Sequence, residues 1–173
     1  MSSTSGSMQA TIHEGGLRAD GKRFAVIASR FNEFMVEKLV AGALDGLRRS
    51  GAADKDVEIF RCPGAFEIPG LLRRVAATGR FHGIICVGVV IRGATPHFDL
   101  VVGEATSGIA RVAGDGVVAV GNAVLACETI EQAVERAGSK AGNRGYDAAI
   151  VAIEMANLYA STALTASGAP TAR

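Results

Sequence analysis

Nine consecutive residues from Gly83 to Ile91, Gly-Ile-Ile-Cys-Val-Gly-Val-Val-Ile, include no charged or hydroxyl-bearing side chain. A strand built from them has no polar face to turn toward water, so it must be covered on both sides, as in the middle of a parallel sheet. The run is too short to span a bilayer, which takes about 20 residues as a helix. Its neighbours in the chain supply the cover. Segments 23–29, 57–62 and 117–125 are further short apolar runs that read as strands, and each is followed by helical periodicity. Phe34, Val36, Leu39, Val40, Ala43 and Leu47 recur at helical spacing, with Asn32 placed to cap this helix and Gly51 to stop it. Thr-Ile-Glu-Gln at 129–132 has the form of a capping box for a short helix to about 137, and a last helix is expected over 143–164. Strands alternating with helices predict one α/β domain, a four-stranded parallel sheet with helices on both faces. Sites in such sheets lie beyond the carboxyl ends of the strands, which here means after Ser29, Cys62, Ile91 and Leu125.

Composition narrows the classes. Of 173 residues, 49% are apolar and 20% charged, enough to build a core. Lys and Arg total 18 against 17 for Asp and Glu, with no basic run and no Trp, so nucleic acid is not an expected partner. Residues 1–7 are small and polar and lack the basic start and apolar stretch of a signal peptide. Cys62, Cys86 and Cys127 share no C-x-x-C spacing and stand in apolar surroundings, as reduced core residues of a cytoplasmic protein do.

One motif is a decoy. Gly-Leu-Arg-Ala-Asp-Gly-Lys at 16–22 has the spacing of a phosphate-binding loop, but Arg23 replaces the Ser or Thr that should follow, and the segment precedes a strand instead of following one. It reads as a turn. The loop 92–96, Arg-Gly-Ala-Thr-Pro, leaves the apolar strand and enters a helix, so its amides and the helix N-terminus form a natural anion site. Gly93 permits close backbone approach and Thr95 adds a hydroxyl. His97, in the first turn, can shuttle protons near neutral pH or simply cap the helix, and its local context leaves the two readings level. His13 and His82 read as surface residues, and no two histidines share metal-ligand spacing. Glu67 lies between Phe66 and Ile68, where a carboxylate needs partners such as ligand hydroxyls, unless it only serves a helix start. Arg92 and Arg136 are either ligand groups or solvated charges, and spacing alone does not bring them together.

Four segments in order resemble the lumazine synthase family: Ser-Arg-Phe-Asn at 29–32, Pro-Gly-Ala-Phe-Glu-Ile-Pro at 63–69, Gly-Val-Val-Ile-Arg-Gly-Ala-Thr-Pro-His-Phe-Asp at 88–99, and Glu-Gln-Ala-Val-Glu-Arg-Ala-Gly at 131–138. The likeness extends from about residue 8 to 164. It implies a flavodoxin-like α/β/α sandwich over 15–165, an arm over 1–14 that adds a strand to a neighbouring subunit, and a disordered tail at 166–173. It implies condensation of 5-amino-6-(D-ribitylamino)uracil with 3,4-dihydroxy-2-butanone 4-phosphate to give 6,7-dimethyl-8-ribityllumazine, phosphate and water, the penultimate step of riboflavin biosynthesis, with no cofactor and no metal. Position by position, Phe31 matches the aromatic that stacks on the pyrimidine, and Ala65, Phe66 and Glu67 the segment that holds the ribityl chain. Val89, Val90 and Ile91 match the strand end that reads the pyrimidine edge. Ala94 and Thr95 match the phosphate cradle, Arg136 its charged clamp, and His97 the proton donor. Asn122-Ala123 stands where many members carry Phe-Gly, and Ala126-Cys127 replaces the Thr pair that follows, so the packing on the ring is expected to differ. The resemblance further implies a homopentamer with shared sites, completed across the interface by Asn122 and Arg144. The turn at 138–145 is similar to that of members that close into sixty-subunit icosahedral capsids. Riboflavin synthase is an implied partner, whereas a membrane is not. The alternatives are a flavin-binding module or a shell-forming protein without catalysis.

Overall fold

The computed structural model describes residues 9–161 and Leu164, so residues 1–8 of the arm, residues 162–163 of the last expected helix and the tail expected at 166–173 lie outside the described residues. In chain order the elements are β1 (Phe24–Ser29), α1 (Glu33–Arg49), β2 (Val57–Cys62), α2 (Ile68–Ala76), β3 (Gly83–Ile91), α3 (His97–Gly114), β4 (Ala119–Cys127), α4 (Ile130–Arg136), a small hairpin of β5 (Ala137–Ser139) and β6 (Gly142–Asn143), and α5 (Arg144–Tyr159). Single 3₁₀ turns at Asp54–Asp56 and Ala65–Glu67 lead into β2 and α2. The four long strands form one all-parallel sheet in the order β2-β1-β3-β4.

The apolar run at 83–91 is an inner strand, as expected, with its first seven residues buried. Alternation sends successive side chains to opposite faces. Ile85, Val87 and Val89 join the layer of α1 and α5, while Ile84 and Cys86 join that of α2 and α3. β2 and β4 are the edges, and β4 alternates buried and less buried positions, with Asn122 and Ala126 exposed. β4 begins and ends two residues later than the run 117–125 suggests. Gly116, at φ +67°, ends the preceding turn, Val117 is 80% exposed, and pairing with β3 carries the strand on to Ile91↔Cys127.

Three termini differ from their sequence reading. Asn32 precedes α1 but makes no capping bond, because it adopts the left-handed conformation and its amide turns elsewhere. At α4, Thr129 accepts from Gln132 N at 3.3 Å, but the Gln132 side chain reaches Glu128 N at 2.8 Å, one residue earlier than a capping box requires. α5 ends at Tyr159, with Ala160 as its cap. The decoy at 16–22 is a turn, closed by Lys22 N donating to Ala19 O, with Gly21 at φ +70°.

α5 packs unusually close. A Cβ at Gly121 would stand 2.1 Å from Ala148 O, and one at Gly145 would stand 1.9 Å from Leu39 O. Asn143 secures the same corner, its Oδ1 accepting from Gly145 N at 2.8 Å and its Nδ2 donating to Lys38 O at 2.8 Å. Backbone cannot yield as a flexible side chain can. Gly121→Ala is therefore expected to destabilise the fold by at least the about 1–3 kcal/mol typical of overpacking, read as a lower urea midpoint. Gly16→Ala, whose Cβ meets nothing within 4 Å, should stay within about 0.5 kcal/mol of the parent.

Candidate active site

A cleft of about 390 Å³ opens at the carboxyl ends of β1, β2 and β3. Phe31 and Asn32 follow β1; Gly64, Ala65, Phe66 and Glu67 follow β2; Val89, Val90 and Ile91 end β3; Gly93, Thr95, His97, Phe98 and Val101 complete the wall. Segments far apart in sequence thus converge because parallel strands deliver their carboxyl ends to one side.

Of the residues singled out in the sequence, Phe31, Ala65, Phe66, Glu67, Val89, Val90, Ile91, Thr95 and His97 line this cleft. Ala94 belongs to the same loop but does not line it, and Asn122 and Arg136 also stand outside the lining. For Asn122 the reason is register. It pairs with Cys86, three residues upstream of the Leu125 that pairs with Val89, about 10 Å at strand rise. Its Oδ1 accepts from Val124 N at 3.0 Å, satisfying its own strand. Arg136, in the last turn of α4, is exposed and forms no ion pair among the described residues.

Local bonds hold the lining. Asn32 is the one non-glycine residue with positive φ among those described, at φ 60° and ψ 40°. Its Nδ2 donates to Val89 O at 2.8 Å, tying the Phe31 turn to β3. Asn is among the residues that tolerate this conformation, a signal that the capping reading overlooked. Glu67 Oε2 accepts from Gly64 N at 2.9 Å, so one carboxylate oxygen is committed, while Oε1 has no protein partner among the described residues. A Cβ at Gly93 would meet no atom within 4 Å, so the subunit's own packing does not demand glycine there. Phe31 and Phe66 are 71% and 57% exposed, and their faces are open to a ligand.

Arg92 resolves its ambiguity by ion pairing. It bonds both oxygens of Asp99, at 3.0 and 2.9 Å, and Glu128 at 2.6 Å. This guanidinium holds the Asp99 carboxyl below the usual carboxylate range. Neither acid was anticipated from the sequence, because a partner 36 positions away, as Glu128 is, leaves no spacing signal. All three cysteines are buried and free, and burial pushes each thiol up; Arg136 opposes this at Cys127 only in part. His13 and His82 are exposed, as expected. Among the described residues, no three of His, Cys, Asp and Glu gather as metal ligands would, and no helix is long and apolar enough to cross a membrane.

Residues 21–160 match the 6,7-dimethyl-8-ribityllumazine synthase family. A protein of that name from Chlorobium phaeobacteroides is 55% identical over 152 residues, covering 88% of this chain and 98% of the relative. One from Desulfotalea psychrophila is 57% identical over 145 residues, covering 84% and 94%, and one from an Anaeromyxobacter species is 49% identical over 152 residues, covering 88% and 93%.

Two outcomes follow from this geometry. Asn32→Ala loses both the tie to Val89 and tolerance of the left-handed backbone, so a stability loss of about 1–3 kcal/mol is expected. Asn32→Gly keeps the backbone freedom and should recover about half of it; equal losses in the two would mean that conformation is irrelevant. Thiol titration at neutral pH should find none of the three cysteines reactive until the chain is unfolded, since the thiolate is the reactive form.

Proposed function

The chain belongs to the 6,7-dimethyl-8-ribityllumazine synthase family, and we propose that the cleft at the end of β3 is where it condenses 5-amino-6-(D-ribitylamino)uracil with 3,4-dihydroxy-2-butanone 4-phosphate. The observation that carries this reading is the meeting of three separate segments, around Phe31, 65–67 and 89–97, on one open cleft. The primary amine of the pyrimidine attacks the ketone and water leaves, giving an imine. Elimination then expels inorganic phosphate, and the shortened chain swings round. The enol left by the elimination tautomerises to a new ketone, and the ribitylamino nitrogen closes the ring on it with loss of a second water. Each step moves protons or expels water or phosphate, so the work required is positioning and proton transfer.

In this reading Phe31 stacks on the pyrimidine, whose edge is met by the backbone of Val89, Val90 and Ile91. Ala65 and Phe66 flank the ribityl chain, and Glu67 accepts from its hydroxyls through the free Oε1. Ala94, Thr95 and the first-turn amides of α3 cradle the phosphate, with Arg136 as its charged clamp. His97 relays protons, while proximity supplies the larger share of the rate, since oriented reactants show effective molarities up to about 10⁵–10⁸ M.

The same reading places the domain over 15–165 and assembles it as a homopentamer. In its support, Leu100 and Val117 are exposed on the subunit, and Asn122, Arg136 and Arg144 stand outside their own cleft. We assign Asn122 and Arg144 to a neighbour's site. The arm at 8–14 then pairs with the open edge of a neighbouring β2, the turn at 138–145 favours the icosahedral capsid, and riboflavin synthase is a candidate guest. Three reduced, buried cysteines favour the cytoplasm.

Product formation from both substrates, followed by absorbance against an enzyme-free control, tests the proposal. Saturable acceleration that weakens in Arg136→Ala is expected. His97→Ala should keep measurable turnover, reduced by on the order of 10²–10⁴. A rate no better than the control, from folded protein, would leave only a binding or shell role.

A further inference from the structure

Arg92 directly follows β3, at the point where the loop 93–96 departs, and it is anchored on three sides. Its backbone N donates to Cys127 O at 2.9 Å, fixing it to the end of β4. Nη1 and Nη2 form a two-pronged bond with Asp99, at 3.0 and 2.9 Å, in the first turn of α3. Nε bonds Glu128 at 2.6 Å, immediately before the Thr129 cap of α4. The guanidinium carbon also lies 4.1 Å from the ring centre of Phe98, a buried residue that lines the cleft beside His97. Both ends of the loop are therefore tied to one planar group, a geometry that arginine, with its rigid fork of donors, provides and lysine does not.

The charges make a second point. One cation faces two carboxylates, so the cluster carries a net charge of −1 beside the loop assigned to phosphate. Three of the five guanidinium N–H groups are committed to Asp99 and Glu128, and a phosphate on the other two would stand beside both carboxylates, which would repel it. We propose that Arg92, Asp99 and Glu128 form a clamp that holds loop 93–96 and the first turn of α3 in register, so that Arg92 acts as a positioning residue for Thr95 and His97 and not as a phosphate ligand. This rests on the assignment of the cleft as the synthase site.

The sign of one effect separates the two roles. Removing a carboxylate partner weakens a clamp, but it frees a would-be ligand. Asp99→Asn and Glu128→Gln are each expected to raise KM for the keto-phosphate by roughly three- to tenfold, below the about 100-fold that a 1 Å misplacement can cost, with KM for the pyrimidine changed less than about twofold. Arg92→Gln should act in the same direction. Adding Asp99→Asn to it should cost little more, as expected for residues in one network. Amide hydrogen exchange over 93–98 should quicken in Arg92→Gln in the absence of any substrate. A fall in the keto-phosphate KM in Asp99→Asn or Glu128→Gln would overturn the clamp in favour of direct phosphate binding. Unchanged kinetics and unchanged exchange in Arg92→Gln would overturn both. If the parent itself shows no synthesis, the assignment of the site fails, while the exchange measurement still decides the clamp.

Discussion

Burying both faces of β3 takes two layers of helices, and the strand divides its side chains evenly between them. Ile85 and Val87 enter one layer and Ile84 and Cys86 the other, all completely buried. Each Ile or Val contributes about 1.5–3 kcal/mol by its transfer from water, an upper estimate because unfolded chains already hide some apolar surface. Burial is tightest at the start of the strand, where Gly83 abuts the Phe24 ring and the Ala152 carbonyl. It loosens at Val90 and Ile91, both half-buried. The cleft begins where that cover ends, so the same strand that organises the core also sets the floor of the site.

At this end of the sheet, side-chain bonds hold the segments that line the cleft. Asn32 grips the Val89 carbonyl, Glu67 grips the Gly64 amide, and Arg92 joins the two flanks of its loop. Each bond spends polar capacity that a ligand could otherwise use, and in return fixes a segment with no regular secondary structure of its own. The consequence is electrostatic. Arg92, beside the cleft, is already paired with two acids, so in the proposed reading an anion there relies on amide dipoles, the Thr95 hydroxyl and a charge brought by Arg136. That division matches a reaction whose difficulty lies in holding two reactive molecules together more than in activating either.

The order of elements was legible in the sequence because each buried strand is a compact apolar run and each helix carries its own stripe. The carboxyl-end rule then pointed to four segments, of which those after Ser29, Cys62 and Ile91 meet in the cleft and that after Leu125 does not line it. What the sequence hid was decided by pairing across the fold. β4 runs on to Cys127 because β3 offers partners as far as Ile91, and no local feature of Ala126 or Cys127 announces this. Asn32 has the composition of a cap, yet its amide reaches a carbonyl 57 residues away. Arg92 was visible as a charge but not as a clamp, since its two carboxylates belong to elements that only tertiary folding brings near. Three of the four motifs behind the family resemblance sit at strand ends and the fourth, 131–138, lies in α4 and β5, so the resemblance named residues of the lining but not the bonds that hold it.

The open side of the cleft bears on assembly. A flat heteroaromatic ring has two faces, and within one subunit Phe31 and Phe66 are left more than half exposed. A ligand docked against them would keep much of its own surface in water. A neighbouring subunit that covered the opening would bury ligand and aromatic together, strengthening both the apolar contact and every polar bond inside. Asn122 fits that role better than any role in its own cleft. It is exposed on an edge strand, about 10 Å back from the level of Val89 by strand rise, and spends only its carbonyl on Val124 N. Its NH₂ has no partner among the described residues. An amide in that position would meet the edge or face of a bound ring with hydrogen-bond donors instead of a stacking surface. Ring formation and substrate binding would then be coupled, because the surface that closes the site exists only once a second copy of the chain is in place.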